Sequence, residues 1–334
     1  MTNDVQTPPR DAAVEVRDIG IGRRIGALLF QHAPLTGLIL LVLIATAMSP
    51  HFLTAENIFN ILRQWSMVGL IAVGLTFIII AGGIDLSGGS ILGLAAVCGA
   101  LLVPVVGIGW TLVIVLAIGA VAGFINGAFI TWGDVPPFVA TLGMLAVARG
   151  LAFTLTDGRS IDVTLPDWFL FWFGTGYFGP IPAPVIVAAA VFVVAGIVLK
   201  WTRFGRAVAL IGDNEVAAFR CGIKVARLKR AVYMIHGVLA AFAGLFFIGR
   251  LGVGEPTAGT LYELNGIAAV VIGGTPFTGG TGGMGLTAIG LLVIGVTYNI
   301  LNLLSISPYA QDIARGVIIV VAVTFSIRRL RASR

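Results

Sequence analysis

Long apolar runs alternate with short polar gaps along the whole chain. The runs cover about 34–49, 59–82, 89–106, 110–131, 137–155, 183–200, 229–250, 263–275, 283–304 and 309–327. An α-helix needs roughly 20 mainly apolar residues to cross the hydrocarbon of a bilayer. In lipid every backbone polar group must be satisfied internally, which favours helices. The pattern therefore predicts an all-α fold, a polytopic transmembrane bundle of about ten helices with Gly-rich broken or re-entrant segments. The shortest run, 263–275, is itself rich in glycine. Three regions follow: a polar tail over 1–33, a transmembrane domain over 34–328 and a basic tail over 329–334. The tail is too long and polar for a secretory signal, and its stretch 20–33 fits a short interfacial helix.

Composition sharpens this. The chain is 58% apolar and only 11% charged, against about 25% charged in an ordinary soluble domain. A soluble fold of this length has no means of hiding so much apolar surface. The net charge of +6 does not point to nucleic acid, because the basic residues are confined to a few gaps. Arg10, Arg17, Arg23 and Arg24 lie in the tail. Lys200, Arg203, Arg206, Arg220, Lys224, Arg227, Lys229 and Arg230 crowd one gap, and Arg328, Arg329, Arg331 and Arg334 close the chain. Positive charge marks the cytoplasmic side, so both termini and the loop at 201–228 are expected there, beside membrane lipid. Six runs before that loop and four after it satisfy the parity, which keeps 263–275 as a crossing. The longest exterior connection is then 156–182, with Asp157, Asp162, Asp167 and an aromatic cluster. It fits an interfacial belt, a docking surface, or both.

Several chemistries are poorly supported. The two cysteines, Cys98 and Cys221, make no disulfide framework. His32, His51 and His236 are too scattered for a metal site. No lysine follows a glycine, so there is no P-loop, and no gap is long enough for an ATPase domain. No Ser/His/Asp cluster or HExxH spacing suggests hydrolysis. Ion-coupled transporters carry ionisable groups within the membrane. Here the acids near the runs, Asp85, Asp134, Glu255, Glu263 and Asp312, all flank glycine, proline or loop sequence.

Three segments stand out. GGIDLSGGS at 82–90 breaks an apolar stretch with four glycines, and Asp85, Ser87 and Ser90 supply polar groups. GGTPFTGGT at 273–281 repeats the pattern, with Thr278 in the place of Ser87 and no acid. Gly-interrupted segments at matching positions in two halves point to a central pathway. The basic loop forms the third segment; two short helices are expected within 205–223, capped by Asp213 or Asn214. Asn126 and Asn299 lie inside apolar runs, either as interhelical hydrogen bonds or as pathway lining.

The segments GLTFIIIAGGIDLSGGSILGLAA, FVATLGMLAVARGLAFTLTDGRSI, GRAVALIGDNEVAAFRCGI and GGTPFTGGTGGMGLTAIG resemble, in order and spacing, the ribose-type sugar ABC importer permeases. The resemblance runs from about residue 35 to the C-terminus. It implies a homodimeric pore in the bacterial inner membrane, a separate ATPase subunit that binds the ATP, and a periplasmic sugar-binding protein. The chain itself would hold no cofactor and act as no enzyme. The family's coupling element reads Glu-Ala-Ala, three residues, Gly. Val216, Ala217, Ala218 and Gly222 match it here, with Glu215 one place early. The resemblance adds Arg206, Gly212 and Asn214 to that surface. Asp85, Ser87, Ser90, Asn126, Thr278 and Asn299 remain the candidate pathway residues. The alternatives are an ion-coupled transporter using Asp85 and a permease for branched-chain amino acids or another small solute.

Overall fold

The computed structural model describes residues 33–314, with 316, 317 and 324. The expected tail helix, most of the run 309–327 and the basic C-terminal tail lie outside the described residues. The fold is all-α, apart from two tiny strand pairings. Helices run α1 Ala33–Met48, α2 Ala55–Ile80, α3 Gly88–Trp132, α4 Pro137–Thr156, α5 Asp167–Leu170, α6 Ala183–Trp201, α7 Arg203–Asp213, α8 Glu215–Arg220, α9 Val225–Leu251, α10 Tyr262–Ile272 and α11 Met284–Leu303. Strand β1 (Ile161–Asp162) pairs antiparallel with β4 (Val253–Gly254), and β2 (Tyr177–Phe178) with β3 (Ile181–Pro182).

Among the described residues, six helices are long and apolar enough to cross a membrane. One of them doubles back on itself. Helix α3 has 45 residues, with Pro104 inside it and Gly107 at φ 74°, a conformation open mainly to glycine. The chain reverses there. Gly99 faces Val115, although sixteen residues of straight helix would part them by roughly 24 Å. Asn126 likewise reaches back to Ser87.

Burial sorts the bundle into layers. In α2 89% of the most apolar window is buried and in α9 67%, against 11% in α3 and 17% in α4. From Trp65 to Ile80 helix α2 is almost wholly apolar and buried on every side, as a fully surrounded helix must be. The outer helices turn large apolar side chains outward, among them Leu43, Val113, Val121, Val147 and Val193. In water that surface would be untenable; in lipid it is ordinary. The chain is a multi-pass membrane protein.

With six helices long and apolar enough to cross among the described residues, the count of about ten is not confirmed, and the run 263–275 is a broken segment of the kind expected. The run 263–275 forms α10, of only 11 residues, or roughly 16 Å of helix, about half the hydrocarbon thickness. Its remaining depth is covered by non-helical chain.

The connection 156–182 folds back over the bundle. Phe169 is fully buried, and Phe173 packs on Phe242 and Phe246 of α9. Trp168, Trp172, Tyr177 and Phe178 stay exposed. Part of the expected belt is therefore a plug.

Candidate functional site

The site lies where two crossings break. Helix α2 ends at Ile80 on the face that carries α7 and α8, here termed the basic face. Residues 83–87 are non-helical, and helix resumes at Gly88. The imidazole of His236, eleven residues into α9, lies between Gly74 of α2 and Gly88, so Gly88 sits well inside the bundle. The second break mirrors the first. After β4, residues 255–261 are non-helical. This arm runs inward along α3, with Gly254 against Ala96 and Ala100, Ala258 against Gly93, and Gly259 against Gly89. Helix then starts at Tyr262 and runs toward the basic face, with Gly266 packed on Ile71 and Leu75. One crossing is helical in its outer part and the other in its inner part, and their helix N-termini meet.

The meeting is close because Gly89 has no side chain. A Cβ there would overlap both Gly259 O and Glu263 Oε2. Each N-terminus carries a partial positive charge of roughly half a unit, and each has a carboxylate beside it. Asp85 Oδ1 accepts from the Ser87 N–H at 2.7 Å and from Ser87 Oγ at 2.6 Å. Asn126 Nδ2 donates to Ser87 Oγ at 2.9 Å and to Asp85 Oδ2 at 3.3 Å. Glu263, in the first turn of α10, sets its Oε2 against Gly89. The non-helical arms are clipped by side chains. Tyr233 Oη donates to Ile84 O at 3.1 Å. Arg149 Nη1 donates to Ala258 O at 2.9 Å and also to Pro256 O.

Of the expected pathway residues, the structure brings Asp85, Ser87 and Asn126 together. All three and Ser90 are buried, so they hold the break rather than face an open space. Asn299 lies elsewhere, exchanging two amide hydrogen bonds with Asn57 of 2.9 and 2.7 Å. Thr278 is exposed on the basic face. Residues missed by sequence reasoning are Arg149, Tyr233, His236 and Glu263's role at the contact. Arg149 had a signal, as a lone cation inside an apolar run. His236 is fully buried, with both ring nitrogens lacking a partner among the described residues; its position between two glycines has no sequence signature. Thr257 and Thr260 on the outer arm are exposed, the polar surface nearest the contact.

The basic loop forms α7 and α8 as expected. Thr202 caps α7, and Asn214 caps α8 by accepting from the Ala217 N–H at 2.9 Å. Glu215 pairs with Lys229 at 2.6 Å. Arg206, Asn214, Glu215, Ala217 and Gly222 are exposed, as are the apolar Leu210, Val216 and Phe219. Two expected surface residues point inward and are corrected. Ala218 is buried in a small cluster with Ile211 and Val225. Gly212 is wedged into the bundle, where a Cβ would overlap Ile80 O and stand 2.5 Å from Gly280 N. Gly280 N in turn donates to Ile80 O at 2.9 Å. The end of α7 therefore touches both glycine-rich segments at one point. Among the described residues no group of His, Cys, Asp and Glu could hold a metal ion.

An apolar bundle with paired discontinuous crossings and a buried polar junction defines an integral membrane permease. Residues 57–323 match the family described as branched-chain amino acid transport system / permease component, and the chain belongs to that family. It is 46% identical over 292 residues to the ribose import permease protein of Bacillus subtilis, covering 87% of this chain and 90% of that protein. It is 41% identical to the ribose import permease protein of Escherichia coli K12, covering 89% and 94%. The D-allose transport system permease protein of the same organism is 37% identical, covering 86% and 88%. These relatives are transport permeases, and the chain is a permease rather than an enzyme. No solved structure matches the chain.

Proposed function

We propose that the chain is the membrane subunit of an ABC importer for a simple sugar of the ribose type, in a bacterial inner membrane. The sugar assignment rests on the relatives named for ribose and allose, similar over nearly their whole length. The family description names branched-chain amino acids, but no relative cited above carries that name. Two copies form the pore, a cytoplasmic ATPase dimer binds the ATP, and a periplasmic binding protein delivers the sugar. The chain crosses ten times, with 83–106 and 255–272 as broken crossings and both termini in the cytoplasm.

The observation that carries the mechanism is the three-way contact of Gly212, Ile80 and Gly280. Exposed Val216 and Phe219 dock on the ATPase. When its dimer closes on ATP, α8 and α7 move as one basic-face unit. Gly212 passes that motion to the ends of both broken crossings. The contact at Gly89 then shifts, and the threonine-lined outer arm changes its exposure. A neutral sugar needs hydroxyl and amide partners rather than countercharges, and Thr257 and Thr260 fit that need.

The test is ribose uptake by proteoliposomes holding the permease, with and without its ATPase and binding protein. Uptake is expected only with all three and ATP. Full-rate uptake by the permease alone would sink the proposal.

A further inference from the structure

A cavity of about 440 Å³ opens on the basic face between the end of α3, α8 and the start of α9. Four bases line it, Lys224, Arg227, Lys229 and Arg230, against the acids Asp134 and Glu215. Glu215 is already taken by Lys229. Arg230 lies over the Trp132 ring, 4.4 Å from its centroid, and its Nη1 approaches Thr131 Oγ1 at 3.5 Å. The side chains of Lys224 and Arg227 are exposed and form no hydrogen bond or ion pair among the described residues. Helix α9 begins beside them with no side-chain cap and no acid in its first turn, so its positive end is uncompensated.

Free cations and an open helix N-terminus make an anion site. The surroundings select the anion. Phe129 and Trp132, on the last turns of membrane helix α3, are 56% and 66% exposed. An exposed tryptophan at a helix end marks headgroup depth, and Phe129 continues the apolar surface from there into the membrane. A soluble protein partner would meet the exposed tip of α8, not this flank of α3. Basic pockets between membrane helices on the cytoplasmic side suit anionic headgroups. We propose that this cavity binds the headgroup phosphate of an anionic phospholipid. Because Glu215 and Phe219 of α8 form one wall, the lipid would rest directly against the ATPase-docking helix.

The experiment is native mass spectrometry of the full-length chain, purified in detergent and titrated with phosphatidylglycerol or phosphatidylcholine. Lys224→Gln/Arg227→Gln removes the two unengaged bases. Arg203→Gln/Arg220→Gln removes the same charge elsewhere on the basic face. The parent should retain phosphatidylglycerol selectively. The first variant should bind it roughly 10- to 30-fold more weakly, and the second should match the parent. Equal losses in both variants would mean unspecific charge attraction and overturn the site. Displacement of the lipid by millimolar inorganic phosphate would reassign it to a soluble anion. Unchanged lipid binding with loss of ATPase co-purification in the first variant would give the cavity to the protein partner.

Discussion

Asp85 is where the sequence offered two roles, an ion-coupling acid or a polar group lining the pathway. The structure places it in the turn before α3, as the acceptor for Ser87, and ties it to the other half of α3 through Asn126. Removing it leaves Ser87 and Asn126 short of a buried acceptor. Asp85→Ala should cost about 2–4 kcal/mol, seen as a lower unfolding midpoint in detergent. Asp85→Asn keeps an acceptor for the Ser87 N–H. It should preserve ATP-driven uptake, insensitive to proton or sodium gradients; abolished uptake at unchanged stability would favour ion coupling instead. Gly89 is stricter, and Gly89→Val should leave no properly assembled protein, which fluorescence-detected size exclusion can check. Asp85, Ser87 and Asn126 were legible as candidates because polar residues in apolar runs are costly. Tyr233 and His236 were not, since their roles depend on backbone more than a hundred residues away.

At the level of elements, apolar length located the crossings and glycine located their breaks. The hidden part was the contact between breaks. Nothing local in 82–90 or 255–261 says that the two breaks meet end to end, because that arises from α3 doubling back and α9 packing between its halves. The basic loop was read correctly as two capped helices, yet its inward and outward faces were not separable by composition. Ala218 and Ala217 are adjacent alanines, one buried and one exposed. Phe219→Arg, on the outer face, should weaken ATPase association about 30-fold while membrane insertion is normal, measured by co-purification. Ala218→Arg should instead destabilise the loop itself. Gly212→Ala should separate docking from transport: ATPase co-purifies, ATP hydrolysis continues, and uptake per ATP falls roughly tenfold. Equal uptake per ATP in that variant would remove Gly212 from the coupling route.

The molecule as a whole combines a wide apolar exterior with a narrow polar seam. Its charge pattern was legible from the start, because positive residues crowd a few gaps. Its seam was only half legible, because the run 263–275 reads by length as a weak crossing, while the structure joins its helix to the non-helical arm 255–261. The pairing of the two broken crossings has a mechanical meaning. At any depth, one of them is helix and the other is open chain, so the pair occupies a similar width throughout. The open parts are tethered by a few side-chain bonds, from Tyr233 on one arm and Arg149 on the other. An intact helix resists local distortion through a continuous ladder of hydrogen bonds. These arms can shift by exchanging single bonds, and a sugar hydroxyl or a water can take the vacated place. The protein is therefore stiff along its rim and compliant along its seam, and a solute could pass with only that seam rearranging.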